Sequence, residues 1–310
     1  MSIIISNKLF RFTSALTLSS VLLLTILLSV MPEYFTAGAK NAISICLTSV
    51  VPALFLFILL TKIIVSSGFS YLLSKPFGRI FNLLTGLPPF CAGIYLFSFL
   101  SGYPAGVIAA AEAYKNGNLT KSDAEHLIAI SNNTGPALPV LLIGAELLGN
   151  KRAGAAIYLI QIISAFTVAF IFRVRNNKKY EPVYPKTHTD VMRAVTASVD
   201  GSMRALASLC AYVIAFSAIN DALSLTGLGF INYLKPFVEI AGGACALSKV
   251  SDSYAFIALS AALSFGGICV YMQAASVLSR HGLSSKKLIL YKLAQALIAA
   301  SLSSVYVLFT

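Results

Sequence analysis

The chain has 310 residues, 57% of them hydrophobic and 11% charged, with a mean hydropathy of +0.83. So little polar material excludes an ordinary soluble domain and points to an all-α polytopic membrane protein. The formal charge of +12, from 23 Lys and Arg against 11 Asp and Glu, sits mainly in short loops between apolar spans; it implies membrane lipid as a partner and not nucleic acid.

Lys8 and Arg11 precede an apolar run at 14–30, long enough to cross a bilayer core if slightly extended. The small residues Ala37-Gly38-Ala39 could mark cleavage of a signal, but the distance is long. Residues 1–40 are therefore expected to be a retained signal anchor with its N-terminus inside. A second span at 42–65 carries Lys62 and contains Pro52, which should kink it. Lys75-Pro76-Phe77-Gly78-Arg79 is expected as a basic turn at the membrane surface.

Residues 88–100 are almost wholly apolar and 107–114 are alanine-rich, yet Ser101-Gly102-Tyr103-Pro104-Ala105-Gly106 interrupts them. Irregular backbone at membrane depth is tolerated only when buried in protein or lining a cavity. The pattern predicts two half-helices meeting at a corner, with Ser101 as N-cap and Pro104 in the first turn. Its free N–H groups and positive dipole end would attract an anion.

Asn116-Gly117-Asn118 ends that helix, and Thr120 opens another as N-cap with Asp123 at the N3 position. This helix reaches a second break, Asn132-Asn133-Thr134-Gly135-Pro136, which holds the only amide and hydroxyl cluster inside an apolar stretch. A polar loop between surface helices would look similar; the apolar flanks favour a discontinuous membrane helix. A span at 153–172 leads to the strongest basic run, 173–179, placed in the cytoplasm. Asp200 and Arg204, at i,i+4 spacing, mark an interfacial approach to a span at 205–223. Lys235-Pro236-Phe237, 239–247 and 254–263 lead to a third break, Ser264-Phe265-Gly266-Gly267. A helix with Tyr271, Gln273 and Ser276 follows, then Arg280-His281-Gly282 and a last span at 288–309.

Cys46, Cys91, Cys210, Cys245 and Cys269 are scattered singly, and His126, His188 and His281 lie far apart, so neither a metal nor another cofactor is expected. No nucleophile–base pair, metal cluster or phosphate loop has the spacing catalysis needs, and an enzyme is not expected.

Self-comparison shows one order of features twice. Gly68 and Lys75-Pro76-Phe77 recur as Gly227 and Lys235-Pro236-Phe237, each after a long apolar span. Gly102 and its half-helix, ending in Asn116-Gly117-Asn118-Leu119-Thr120, match Gly266-Gly267 and its helix, ending in His281-Gly282-Leu283-Ser284. A duplicated membrane unit with breaks at corresponding positions is the pattern of secondary transporters. If the broken segments are re-entrant hairpins, the units are inverted and the run at 173–179 is cytoplasmic, as charge bias favours. Arg280, Lys286 and Lys287 then fall outside, against the same rule.

The strings SGYPAG (101–106), NGNLTKSDAEHL (116–127), SNNTGP (131–136) and LSFGGICVYMQAASVLS (263–279) resemble those of the sporulation integral membrane protein YlbJ (SpoVV) family, in the nucleoside recognition or Gate domain group. The resemblance covers most of the chain from about residue 40 onward. It implies a first Gate-like repeat at 41–150, a connecting helix and basic loop at 151–197, and a second repeat at 198–310. It further implies a multi-pass protein of the outer forespore membrane, needed for spore cortex formation and moving dipicolinic acid. The matching residues are Gly102, Tyr103, Pro104, Gly106, Asn132, Asn133, Gly135, Pro136, Gly266, Gly267 and Gln273.

A small, flat anion could then lie between half-helix N-termini at 101–106 and 264–268, with hydrogen bonds from Ser101, Asn132, Asn133, Thr134 and Gln273 and stacking on Tyr103. No buried Arg stands near the breaks, which fits release better than tight capture. Each group has a plainer explanation. The glycines suit close helix packing, Gln273 and Ser276 suit interhelical hydrogen bonds, Tyr103 suits interfacial anchoring, and Glu239 is a snorkelling acid rather than a proton site. A membrane scaffold for spore-envelope assembly, a nucleoside-like substrate and a homo-oligomer remain open.

Overall fold

The computed structural model describes residues 32–66, 70–174, 191–225, 227–250 and 252–309, together with Leu22, Thr25, Ile26, Ser29 and Val30. Most of the expected N-terminal span lies outside these residues, as do Gly68, His188 and residues 175–179 of the basic run. Among the described residues every regular element is helical. Four helices are long and apolar enough to cross a membrane: Lys151–Ile171, Val195–Ser224, Ser253–Arg280 and Lys286–Leu308. The chain is an all-helical membrane protein, and apolar side chains such as Leu159 and Leu297 face outward, where lipid would cover them.

The chain opens with α1 (Pro32–Ile45), a π turn (Cys46–Val50) and α2 (Val51–Ser66). The π turn is the form that the disturbance from Pro52 takes. Proline has no N–H to donate, and the helix widens just before it, with the Val51 N–H bonding to the carbonyl of Cys46. Helix α3 (Ser70–Thr85) includes Lys75-Pro76-Phe77, so the expected basic turn is helical instead. Pro76 removes a single backbone bond, while Phe81 and Ser74 on the inner side are buried. The Ser74 hydroxyl donates to the Phe90 carbonyl at 2.6 Å and accepts from Gly93 N at 3.1 Å, tying α3 to the start of α4 (Cys91–Ser101).

Then come α5 (Ala105–Lys115), α6 (Lys121–Ser131), a π-helical segment (Ala137–Leu147) and α7 (Lys151–Ile171). Thr120 caps α6 as the sequence predicts, accepting from Asp123 N at 3.2 Å and donating to its carboxylate at 2.8 Å. Asn150 caps α7. Helix α8 runs unbroken from Val191 to Ser224, so the interfacial approach and the span are one element, with Arg204 and Asp200 paired at 3.2 Å. The remaining helices are α9 (Ile231–Val238), α10 (Ile240–Leu247), α11 (Ser253–Phe265), α12 (Gly267–Arg280) and α13 (Lys286–Leu308). The second Lys-Pro-Phe also lies inside a helix, α9.

The main core joins α3 to α7 with α12 and α13 through residues such as Phe81, Tyr95, Phe99, Leu127, Leu278 and Tyr291. A second core packs Ile143 and Ile157 against Ile240, Leu247, Leu259 and Leu263. Helices α6 and α13, which hold corresponding places in the repeated order, lie side by side and run the same way. Lys287 Nζ donates to Ser122 O at 3.0 Å, Ser284 N donates to Glu125 Oε1 at 2.8 Å, His126 Nδ1 meets Tyr291 Oη at 2.8 Å, and Gln295 Nε2 donates to Asn133 Oδ1 at 3.3 Å.

Candidate functional site

Helix α4 ends at Ser101, whose hydroxyl donates back to Phe97 O at 2.9 Å. Ser101 is therefore not the N-cap of α5; a helical serine commonly returns its proton to the carbonyl one turn earlier. Gly102 follows with φ +73°, then a cis Tyr103–Pro104 peptide, and α5 starts after Pro104 with no side-chain cap. The carbonyl of Phe99, at the freed end of α4, accepts from the Tyr158 hydroxyl of α7 at 2.6 Å.

The first two breaks cross, backbone against backbone. A Cβ on Gly102 would stand 2.8 Å from Gly135 N, one on Gly135 would stand 2.9 Å from Leu100 O, and one on Gly106 would stand 2.2 Å from Ser131 O. The crossing thus admits glycine alone, which gives Gly102, Gly106 and Gly135 the packing role. Asn132, Asn133 and Thr134 are buried beneath it. Asn133 Nδ2 donates to Ile130 O at 2.7 Å, and Thr134 Oγ1 bonds to Gly135 O at 3.2 Å.

The third break is smaller than the sequence predicts. Ser264 and Phe265 remain in α11, and only Gly266, at φ +93°, separates it from α12. A Cβ on Gly266 would lie 3.8 Å from the Tyr103 ring, so Tyr103 reaches from the first break to the third. Gly267 faces elsewhere: a Cβ there would lie 3.3 Å from Pro236 O. It is not part of the assembled breaks.

A cavity of about 310 Å³ lies between α5, α8 and α12. It follows one face of α5 from Pro104 to Lys115 and one face of α12 from Gln273 to Arg280, with Gly201, Arg204 and Ser208 closing it from α8. Of the sequence-predicted site residues, Pro104 and Gln273 line it. Gln273 is buried and its amide donates to Cys269 Sγ at 3.3 Å. Lys115 pairs with Glu112 at 4.0 Å and Arg204 with Asp200 at 3.2 Å, so Arg280 carries the excess positive charge of the cavity. A cleft lined by one sign of charge concentrates small ions of the other sign.

Sequence reasoning missed the most unusual group. Lys292, 1% exposed in the middle of α13, donates to Asn132 O at 2.5 Å and to Gln295 Oε1 at 2.6 Å. Gln295 Nε2 in turn reaches Asn133 Oδ1 at 3.3 Å and Gln161 O at 3.4 Å. A lysine inside an apolar span, with a glutamine three residues on, was the available signal. Glu239 is also buried, and is no snorkelling acid. It caps α10, accepting from Ala241 N at 2.8 Å and Gly242 N at 2.7 Å, with Ser217 Oγ at 3.4 Å.

His126, on α6, is fully buried, and its ring stands edge-on to that of Tyr291. Its Nδ1 contact with Tyr291 Oη, at 2.8 Å, ties α6 to α13. The free thiols of Cys46, in the π turn, and Cys210, on α8, lie close enough to interact, and among the described residues no three His, Cys, Asp or Glu side chains gather to hold a metal. In comparisons with known proteins, the chain matches no family model, no curated protein and no solved structure.

Proposed function

We propose that the protein is a secondary transporter of a small organic anion, with the cavity between α5, α8 and α12 as its entry and the crossed breaks as its inner end. The observation that carries this is the cavity itself, whose lining runs from Lys115, Arg204 and Arg280 to Pro104 at the first break and to Gln273. An uncapped helix start and an amide at one end, with cations along the other, suit an anion better than a nucleoside. Discontinuous helices at the core of a membrane bundle support the same class. The resemblance to the sporulation family supplies dipicolinate as the substrate and the outer forespore membrane as the place. The repeated order of features along the sequence supports a duplicated unit.

The test is flux in proteoliposomes of the full chain, comparing pyridine-2,6-dicarboxylate with uridine. Saturable dicarboxylate uptake that falls at least tenfold in Arg280→Gln and Gln273→Leu is expected, a loss equivalent to about 1.4 kcal/mol. Uridine uptake alone would move the substrate to nucleosides. No flux of either, with dipicolinate normal in spores of a strain carrying both substitutions, would leave the scaffold role.

A further inference from the structure

A second group of polar residues, apart from the cavity, is unexplained by folding. Lys292 is fully buried, yet among the described residues no carboxylate pairs with it; it donates to a backbone carbonyl and to a neutral amide oxygen. The network that holds it reaches the main-chain carbonyls of Asn132 and Gln161. The side chains of those same two residues, 1% exposed each, make no hydrogen bond to the protein at either amide atom. Buried amides left unpaired on both atoms are rare in proteins and costly.

We propose that Lys292, with the side chains of Asn132 and Gln161, forms a buried site for one carboxylate group. The ligand class follows from what the group offers. An ammonium excludes a metal or alkali cation. Water would satisfy the amides but would leave Lys292, as an ammonium, without compensation, which lipid-depth burial penalises most. A carboxylate supplies the charge and about four acceptor positions for the ammonium and two amide N–H donors. The carboxylate belongs to a transported dianion or to a free monocarboxylate. The site goes beyond the transport reading, since it stands or falls on binding alone.

The experiment is thermal unfolding of the full-length protein in detergent, titrated with acetate, with pyridine-2,6-dicarboxylate and, as the inorganic comparison, with chloride. A ligand that binds only the folded state raises the midpoint with concentration. Wild type should show a carboxylate-dependent rise. Lys292→Met and Gln161→Leu, both suited to an apolar setting, should fold and need about 10- to 100-fold more carboxylate for the same rise, the loss of a charge-assisted hydrogen bond. A rise with acetate identifies a site for free carboxylates; a rise confined to the dicarboxylate identifies the transported anion. The proposal is overturned if both variants keep the wild-type response, if only chloride acts, or if no anion shifts wild type. Flux without a Lys292-dependent shift would remove this site and leave transport standing, and the shift without flux would do the reverse.

Discussion

Glu239 and Lys292 are both buried ionisable residues in an apolar bundle, and they are held in opposite ways. Glu239 stands at a helix start, where Ala241 N and Gly242 N turn toward its carboxylate and Asn220 binds its main-chain carbonyl. Capping α10 accounts for the place of the carboxylate, although Asn220 Oδ1 beside it is buried without a partner. Lys292 stands in mid-helix, where no dipole end favours a charge, and its neighbours include side-chain amides with no partner. A buried charge placed where the backbone needs one explains itself through folding. One placed where the backbone is already satisfied calls for a ligand or a moving proton.

That contrast can be broken at several points. It depends on the crossed breaks, which bring the carbonyl of Asn132 to Lys292. Gly106→Val forces a side chain against Ser131 O, and we expect a loss of about 3 kcal/mol or more, seen as loss of folded protein in detergent. An unchanged midpoint would show that the crossing yields easily. Glu239→Ala leaves two buried N–H groups unpaired and should cost about 2 kcal/mol, while Glu239→Gln keeps an acceptor and should cost about 1 kcal/mol. If both variants unfold at the wild-type midpoint, Glu239 is not a cap that matters. Without added ligand, Lys292→Met should change stability by about 1 kcal/mol or less, or raise it, because a buried charge is replaced by a chain that suits its surroundings. A large destabilisation there would make Lys292 a structural residue like Glu239 and erase the contrast.

Much of the architecture can be read in the residues, because glycine and proline in an apolar run announce where helices stop. The breaks at 101–106 and 132–136 are where composition puts them, and Thr120, Gly117 and the Asp200–Arg204 pair behave as their local chemistry predicts. Local signals fail where a neighbour decides. Ser101 has the side chain of a cap but spends it on Phe97 O. Lys75-Pro76-Phe77 has the composition of a turn but stays helical because Ser74 and Phe81 are anchored on the inner side. The closeness of Gly102 to Gly135, and of Lys292 to Asn132, belongs to tertiary contact across more than one helix and leaves no period or spacing in the chain.

The pairing of α6 with α13 has a mechanical consequence. Attachments run along the shared length, from Ser122 with Lys287, through His126 with Tyr291, to Asn132 with Lys292 and Asn133 with Gln295. Two rods pinned at successive points cannot peel apart from one end without straining the next pin. The second break is thus mounted on the final helix rather than on the loop that precedes it, and any displacement of α13 carries the Asn132 corner along. Amide exchange across 121–135 and 286–296 should accordingly open as one cooperative unit, with similar protection on both helices. Exchange that frees α6 while α13 stays protected would show that the pins do not bind the rods together.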